Sequence, residues 1–568
     1  MIEAEVGGRP FGRFLERVAR GFSGLPVTVQ AVICWIPGCV VFFRDEITSG
    51  FDRIGGDGAD ARLVVVLHEH WVNVFRGRVS WTSPNFFYPA KGTLGYADTL
   101  FLNQIFYAPM RALGLDSFLA FEWTVILLSL VGFAGFFTLC RRVLGLGIGV
   151  SLALATAFAF ANNLNIVSVH PQLYSVYWFP LLLLLALRVA RAPGRWWQSF
   201  WGAIAGLLFG LILFSTYYIA WFIVLAAVVF ALVFLPLQLR SAGWRRCVDL
   251  ARSKLSGLLG FLGGAIVGLV PFLIVYVPVL RSTGGRTYEQ VMTYAATPRD
   301  VLNLGGSNYV WGSLVRAHLP VEHLTNTETS LAVTPVLVIL AAGAMVFAIR
   351  MWRSTELAIL TRLCAAASVT ALVLALLPIR FGVGSLWRVP WVLMPGVEGI
   401  RAIDRVEIVI APIVCLTVAL GLAIAQRTRR PLARRSQAVS VGLALLLVLA
   451  VVEQLNVGEF AGIDRSIENK RLREAPQPPE SCRAFFIIDR EMLSFVANID
   501  AMVLAVHFGI PTVNGYSGQY PPGYILLDMS DPEYFAKVRT WVADTRAEDG
   551  LCSYDTVAKV WMAAPRSG

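Results

Sequence analysis

The sequence is poor in charged residues. Only 15% of its 568 residues are Asp, Glu, Lys or Arg, whereas soluble domains usually carry about a quarter. The mean hydropathy is correspondingly high, at +0.64. A chain with so few charges and with repeated apolar runs of about 20 residues does not make a soluble globular domain. We therefore predict an all-α polytopic membrane domain.

Several familiar sequence patterns are missing as well. The chain has no P-loop, no dinucleotide-binding glycine pattern and no Ser-His-Asp arrangement in a supporting context. Its eight cysteines form no CxxC pair or His-paired metal spacing, and most lie in or beside apolar runs. Only Cys482 and Cys552 fall in the polar tail, where a disulfide depends on the compartment and stays an open question.

Eleven apolar segments are candidates for membrane spans. The turn at residues 215–218 is short, so the two spans beside it are the least secure. The predicted spans are 25–43, 117–139, 147–166, 173–190, 200–217, 218–237, 256–280, 328–349, 357–378, 407–426 and 437–455.

The net charge of +11 would suggest a nucleic-acid partner in a soluble protein, but here the basic residues sort by membrane side. Arginines crowd residues 1–24 and every second short loop, as in 427–435, which marks these segments as cytoplasmic. We predict a retained signal anchor, a transmembrane domain over 25–455 and an outer tail over 456–568. The outer loops are 44–116, 162–172, 281–327 and 379–406.

The outer segments carry structure of their own. In the tail, alternating patterns predict strands at 483–489, 511–514 and 558–563, with helices at 497–508 and 532–545, so we expect a small extracytoplasmic α/β domain. The first outer loop, 44–116, is too long for a simple connector. Within it, the apolar face of 61–75 predicts an amphipathic helix lying at the membrane interface, and 98–113 a surface or re-entrant helix.

A cluster of acids follows the first span. Asp57 and Asp60, in GlyGlyAspGlyAlaAsp (55–60), share one face if the segment is helical, and the glycines let the backbone approach a ligand. A carboxylate here suits a general base that deprotonates a hydroxyl. The alternative is that the acids cap a helix, with Asp60 at the N-cap. Both interpretations hold if Asp60 caps the helix and Asp57 acts as the base, which is the assignment we favour.

HisGluHis (68–70) has the composition of a metal cluster but not its spacing. A zinc helix needs two histidines at i and i+4, whereas His68 and His70 point away from each other on a helix. Polar side chains at a headgroup boundary are the simpler interpretation. Glu69 stays a candidate for facing the site, and we predict no metal.

Four more polar residues belong to outer segments. Asp98 precedes an apolar run and either caps a helix or binds substrate. His170 and Gln172 lie in a short outer loop, where they either hydrogen-bond a sugar or phosphate or are simply solvated. Glu328 is the first residue of a predicted span. It is either a site residue or a charge that stabilises the N-terminus of a helix.

Arginines in an outer loop oppose the usual charge sorting. Arg401 and Arg405 are spaced i, i+4 before a span, and arginine forks bind phosphate oxygens. Pairing with local acids or with anionic lipid is the alternative. In the tail, Tyr516 belongs to a loop rich in Gly, Tyr and Pro (514–524), suited to stacking on a sugar or to an ordinary packed turn.

The ordered set of motifs resembles bacterial GT-C-type membrane glycosyltransferases, including the YfhO-like branch. It runs over most of the chain: GlyAspGly-x-Asp (56–60), PhePheTyrPro (86–89), Tyr-x-Asp (96–98), His-x-Gln (170–172), Glu328, Arg-x-x-x-Arg (401–405) and AsnGlyTyrSerGly (514–518).

The resemblance implies an inverting transferase in the bacterial cytoplasmic membrane. It would move a sugar from a polyprenyl-phosphate donor to a glycan, lipid or protein acceptor at the outer face. Asp57 would be the catalytic acid with Asp60 as fallback, Glu328 a second acid, and Arg401 with Arg405 the donor-phosphate ligands. Some relatives carry a divalent metal, but we expect no cofactor here.

Two other functions stay open. One is a flippase or transporter of lipid-linked glycans, although transporters usually place several ionisable residues at the membrane midplane. The other is a non-catalytic protein of envelope assembly. Neither alternative, nor the transferase, implies nucleic acid as a partner.

Overall fold

The computed structural model describes residues 24–325, 328–330, 332–382, 384–428, 436–458, 462–489, 491–543 and 549–563. The predicted cytoplasmic N-terminal segment and most of the basic loop predicted at 427–435 lie outside these residues.

Helices make up most of the described chain. In chain order they are α1 (Val27–Phe42), α2 (Arg44–Thr48), α3 (Asp60–Phe75), α4 (Gln104–Ala112), α5 (Ser117–Thr138), α6 (Ile148–Ala159), α7 (Asn162–Ile166), α8 (Phe179–Arg191), α9 (Gly194–Ser215), α10 (Tyr217–Ala242), α11 (Trp244–Ser253), α12 (Leu255–Thr283), α13 (Tyr288–Met292), α14 (Gly312–His318), α15 (Val321–Thr325), α16 (Pro335–Arg350), α17 (Ala358–Leu376), α18 (Arg388–Leu393), α19 (Glu407–Arg427), α20 (Ser436–Val452), α21 (Arg465–Glu474), α22 (Ser494–Phe508) and α23 (Tyr534–Val542).

Within the described ranges, eight helices are long and apolar enough to cross a membrane. They include the least secure predicted pair, which folds as α9 and α10 on either side of Thr216. The other three predicted spans fold as α1, α16 and α20, shorter apolar helices of 16, 16 and 17 residues. The chain is thus a helical protein with many membrane-capable helices, and the count of eleven spans stays a prediction.

Glycines bring α9 and α12 into direct backbone contact. A Cβ atom built on Gly206 would lie 1.9 Å from the carbonyl oxygen of Phe261, and one on Gly264 would lie 2.0 Å from that of Ala203. Small residues allow this approach between helices in lipid, where packing replaces the hydrophobic effect as the main attraction. The two helices therefore pack more closely than larger side chains would allow.

The strands are few and short. They are β1 (Arg53–Ile54), β2 (Arg380–Phe381), β3 (Gly384–Ser385), β4 (Ile463–Asp464), β5 (Ala484–Ile488), β6 (Leu551–Asp555) and β7 (Val560–Ala563). The antiparallel pairs β1–β4 and β2–β3 stand apart from a three-stranded sheet of order β5–β6–β7, in which β5 and β6 are parallel and β6 and β7 antiparallel.

The sequence reasoning missed β6 and overstated another strand. The segment predicted at 511–514 makes only an isolated bridge, between Thr512 and Phe485. The predicted strands at 483–489 and 558–563 correspond to β5 and β7, and the two predicted helices to α22 and α23. Cys482 and Cys552 form a disulfide that links the start of β5 to β6.

The first outer segment folds against the tail. Helix α3 packs on α22, and 12 of its 16 residues, from Ala61 to Asn73, are buried. The predicted interfacial surface helix is therefore wrong, because both faces of α3 are covered. Backbone N–H groups of Phe87 and Tyr88 donate to the carbonyls of Asn514 and Thr512, at 3.0 Å each. That the tail forms a separate domain stays a prediction.

A buried ion network holds α3 against the tail. The Arg62 guanidinium, with a side chain only 3% exposed, forms ion pairs with Asp500 of α22 and, at 3.3 Å, with Glu468 of α21. Arg471 pairs with the same two acids. Removing one partner from such a network leaves buried charge uncompensated.

Arg62→Ala is expected to destabilise the protein by about 3 kcal/mol or more, because Asp500 and Glu468 lose a buried partner. The thermal midpoint of the purified protein in detergent should fall accordingly. Lys470→Ala is the matched control, since Lys470 pairs with Glu474 in an exposed 3.8 Å contact whose removal costs little. Equal midpoints for the two variants would contradict the assignment.

Candidate functional site

The loop between β1 and α3 presents Asp57. Its Oδ1 accepts hydrogen bonds from the backbone N–H groups of Ala59 and Ala61, at 3.1 Å each, so Asp57 satisfies the first free donors of α3. Gly56 has a φ of +110°, and a Cβ there would lie 2.2 Å from that of Ala61. Only glycine fits this turn. The prediction that Asp60 caps the helix is therefore wrong, because Asp57 caps it.

Asp60 belongs to a chain of alternating charge. Its Oδ2 lies 2.7 Å from Nδ1 of His170, whose Nε2 lies 3.3 Å from Oε1 of Glu328. Arg405 closes the chain by donating from both Nε, at 2.8 Å, and Nη2 to the Glu328 carboxylate. Four residues predicted from four separate parts of the sequence thus meet in one row.

The row fixes the charge of its members. Burial alone would lower the pKa of His170, but hydrogen bonds to Asp60 and Glu328 raise it above its usual value. Burial likewise works to raise the pKa of Asp60 and of Glu328, and the cationic neighbours outweigh it and lower both. Both ring nitrogens of His170 thus lie against carboxylate oxygens, an arrangement that favours the imidazolium over the neutral base.

Asp57 differs from Asp60 in its electrostatics. Burial raises the pKa of Asp57 above its usual value, and the nearby Asp60 adds to this, against the lowering by its two backbone hydrogen bonds. Those bonds use Oδ1 only. Asp57 thus combines a half-buried carboxylate with an oxygen left for another ligand, and a raised pKa makes it a stronger base than an ordinary aspartate.

Asp98 and Gln172 flank the row. Asp98 accepts a hydrogen bond from the backbone N–H of Tyr217, at 3.2 Å, and so caps α10 rather than the run that follows it in sequence. Burial raises the pKa of Asp98 to about 6. Gln172 hydrogen-bonds to Asp60, while its own Oε1 is buried without a hydrogen-bond partner in the described part of the chain.

Arg401 and Arg405 do different things. Arg405 is engaged by Glu328, which leaves its fork unavailable to a phosphate. The Arg401 guanidinium lies 5.1 Å from the centre of the Tyr294 ring, and among the described residues no carboxylate lies within ion-pair distance of it. The expected pair of phosphate ligands is therefore reduced to Arg401.

A second arginine joins Arg401. Arg286, just after α12, donates from Nη2 to the carbonyl of Gly518 at 2.6 Å, and its buried Nε has no hydrogen-bond partner in the described chain. Burial lowers the pKa of Arg286, and the positive charge of Arg401 lowers it further. The sequence reasoning missed Arg286, although it too is an arginine in an outer segment, the signal that selected Arg401.

Tyr516 connects the arginines to the acids. Burial raises its pKa to about 12, and the charges of Asp60, Asp57 and Arg401 all act on its hydroxyl. Asn514 holds this loop from below, accepting from the backbone N–H of Ile487 at 3.0 Å and donating to Tyr534 at 2.8 Å. The tail thus supplies one wall of the site.

HisGluHis lies outside the site. Glu69 forms an ion pair with Arg111 and accepts a hydrogen bond from Tyr107 at 2.6 Å, so the prediction that it faces substrate gives way to a structural role. His68 contacts Gln104 at 2.7 Å and His70 the carbonyl of Trp81 at 3.0 Å. Burial lowers their pKa values to about 3 and about 4, which keeps both rings neutral.

Glu328 does not open a span, as the sequence suggested, because α16 begins only at Pro335. The acid at that helix N-terminus is Glu453, which follows α20. Its carboxylate accepts from the backbone N–H groups of Val336 and Leu337, at 3.0 Å each, and from the Trp311 indole at 3.0 Å. This leaves Glu328 to pair with Arg405 and His170.

Comparisons with known proteins give only distant likenesses. No family model matches the chain, and no curated protein matches it. Three solved structures are similar to it: the Archaeoglobus fulgidus oligosaccharyltransferase complexed with Zn and sulfate, at 14% identity over 86% of this chain and 62% of that one (TM-score 0.45); the arabinofuranosyltransferase AftD from Mycobacteria, at 15% over 82% and 30% (0.45); and the archaeal oligosaccharyltransferase AglB with an inhibitory peptide and a dolichol-phosphate, at 12% over 92% and 69% (0.45). The chain spans about three fifths of the first, and likenesses this distant assign no activity to it.

His170→Gln is expected to lower stability in a pH-dependent way. A histidine whose pKa is raised on folding contributes stability that is complete below about pH 6.5 and is lost as the pH rises through its folded pKa. The difference in thermal midpoint between wild type and variant should therefore be largest near pH 6 and shrink toward pH 9. A difference independent of pH across this window would contradict a charged His170.

Proposed function

We propose that the protein is a GT-C-type glycosyltransferase, which moves a sugar from a polyprenyl-phosphate donor onto an acceptor hydroxyl at the outer face of a bacterial cytoplasmic membrane, with inversion. One observation carries the proposal. Two arginines without carboxylate partners among the described residues, Arg286 and Arg401, meet the tail loop at 516–518 together with Asp57: Arg286 donates to the carbonyl of Gly518, and the charges of Arg401 and Asp57 both act on the Tyr516 hydroxyl.

The arginine pair supports an anionic donor. The positive charge of Arg401 contributes to the lowered pKa of Arg286, so the two guanidinium groups repel, and an anion between them would remove that repulsion. Phosphate suits the place, because guanidinium forks donate two parallel hydrogen bonds to its oxygens. A lipid-linked phosphate would reach this depth at the membrane surface.

The surroundings of Asp57 support its role as the general base. Transfer with inversion needs a group that takes the proton of the attacking hydroxyl on the face opposite the leaving phosphate. Asp57 has one free oxygen and a raised pKa, whereas Asp60 and Glu328 are held by cations. In this scheme those two acids position His170 and Arg405, and Tyr516 borders the sugar between base and phosphate.

The residues present do not fit a divalent metal. Such an ion needs several carboxylate oxygens, but Asp60 and Glu328 are already neutralised by His170 and Arg405. The proposal therefore includes that sugar transfer needs no metal ion, and transfer in the presence of a chelator checks this. The flippase alternative stays the second candidate, and it predicts lipid-phosphate movement that does not need Asp57.

Asp57→Asn is expected to reduce transfer by about 10²- to 10⁴-fold, the usual contribution of a general base, while donor affinity stays close to wild type. The assay offers purified protein radiolabelled polyprenyl-phosphate mannose, glucose and arabinose with a membrane lipid extract as acceptor. Asn still accepts backbone hydrogen bonds at the α3 cap, so folding should survive. Full transfer by a folded Asp57→Asn variant would refute the base assignment.

Arg401→Ala is expected to weaken binding of decaprenyl monophosphate roughly 10- to 100-fold, as one charged hydrogen-bond partner is lost. Arg388→Ala is the matched control, because Arg388 also lies over a tyrosine ring, 4.8 Å from the centre of Tyr288, but outside the cluster. Equal affinities of the two variants would exclude the phosphate site.

A further inference from the structure

An apolar groove lies among helices α1, α6 and α20, whose side chains supply most of its lining. It has a volume of about 620 Å³ and a lining that is almost wholly apolar, including Pro37, Val41, Ala153, Leu447 and Val451. Cavities of this size and character typically hold a ligand rather than solvent.

A polar cavity of about 220 Å³ adjoins the groove. The two spaces share four lining residues: Phe42, Arg44, Asn165 and Asn456. The lining of the polar cavity also includes Gly55, in the loop that carries Asp57, and Val169, the residue before His170. A lipid with its chain in the groove and its headgroup in the adjoining cavity would therefore place that headgroup near the loop that carries Asp57.

Two buried glutamates give the polar cavity its character. Glu46 is 4% and Glu122 is 1% exposed. Glu122 accepts from the backbone N–H of Gly55 through Oε2, at 2.8 Å, but its Oε1, like Oε2 of Glu46, has no hydrogen-bond partner in the described chain. Buried polar atoms left without a hydrogen-bond partner are costly, so a hydroxyl group that reached these oxygens would be favoured.

The chemistry of the lining selects the ligand. Carboxyl groups and the amides of Asn165 and Asn456 bind hydroxyl groups well, which both donate and accept. An ionised carboxylate repels a phosphate, and Arg44, the cation of this lining, is already paired with Asp45 at 3.3 Å. The polar cavity therefore differs in kind from the arginine pair.

We propose that the groove and the polar cavity together bind the acceptor, a lipid with a hydroxyl-rich headgroup such as a glycolipid, with its chain in the groove and its headgroup against Glu46 and Glu122. The word acceptor rests on the proposed function, whereas the binding of such a lipid does not. In this scheme the donor phosphate and the acceptor headgroup bind different sets of residues near the loop that carries Asp57.

The test uses photolabelling, which needs no transfer reaction. The full-length protein, in phosphatidylcholine nanodiscs, is irradiated with a hexadecyl glucoside that carries a diazirine in its chain. Labelled peptides are identified by mass spectrometry and are expected at 34–41, 149–156 and 444–452. Unlabelled hexadecyl glucoside should displace the probe, and hexadecanol, phosphatidylglycerol and free glucose should do so far less.

Gly149 allows the groove to be filled without disturbing the helix, because a Cβ there meets nothing within 4 Å. Gly149→Phe should reduce labelling of the groove about tenfold, a loss of about 1.4 kcal/mol in binding. Gly263→Phe is the matched control, since Gly263 of α12 also faces open space but lies outside the groove lining.

Three results would overturn the inference: equal labelling of Gly149→Phe and wild type, displacement by hexadecanol or phosphatidylglycerol as strong as by the glucoside, or stronger displacement by decaprenyl monophosphate. The last would make the groove a donor site, and the second a place for bulk lipid. Displacement of the probe from the wild-type protein tests the inference even if a variant fails to fold. Labelling of the groove alongside full transfer by Asp57→Asn would refute the base assignment alone.

Discussion

The row Asp60–His170–Glu328–Arg405 is the interaction on which the site depends. Each charge in it is buried deeply enough that it is unfavourable alone, and each is made tolerable by the opposite charge beside it. The row also joins segments far apart in sequence, the loop at α3, the turn before α8, the segment before α16 and the start of α19. Its first member, Asp60, begins α3, so the row fixes where the loop carrying Asp57 can lie.

The tail secures the same loop from the outside. Arg62, in the first turn of α3, pairs with acids of α21 and α22, and the backbone of Phe87 and Tyr88 pairs with that of Thr512 and Asn514. The start of α3 is consequently held by two sets of ion pairs, which is the kind of support that fixes the position of the loop before it. The tail is thus part of the site rather than an appendage.

Sequence reasoning reached the helical segments because apolar length is a strong and local signal. It also found Asp57, Asp60, His170 and Arg405, since charged residues in outer segments of an apolar chain stand out. It failed where roles depend on contacts: a helical pattern cannot show that α22 covers α3, that Glu453 caps α16, or that Glu328 engages Arg405. Sequence reasoning did not single out Arg286, because its role depends on its nearness to Arg401, which lies 115 positions later in the chain.

Separate places for donor and acceptor would decide the order of binding in the proposed scheme. Arg286 and Arg401 would attract the donor phosphate, and the cavity beside Glu46 and Glu122 would take the hydroxyl-bearing lipid. The two sets of residues do not overlap, so in this scheme neither lipid needs to leave before the other enters. Asp57 would act on the acceptor through the oxygen that does not bind the backbone N–H groups of Ala59 and Ala61. The proposal therefore predicts direct transfer in a ternary complex, which needs no covalent glycosyl intermediate.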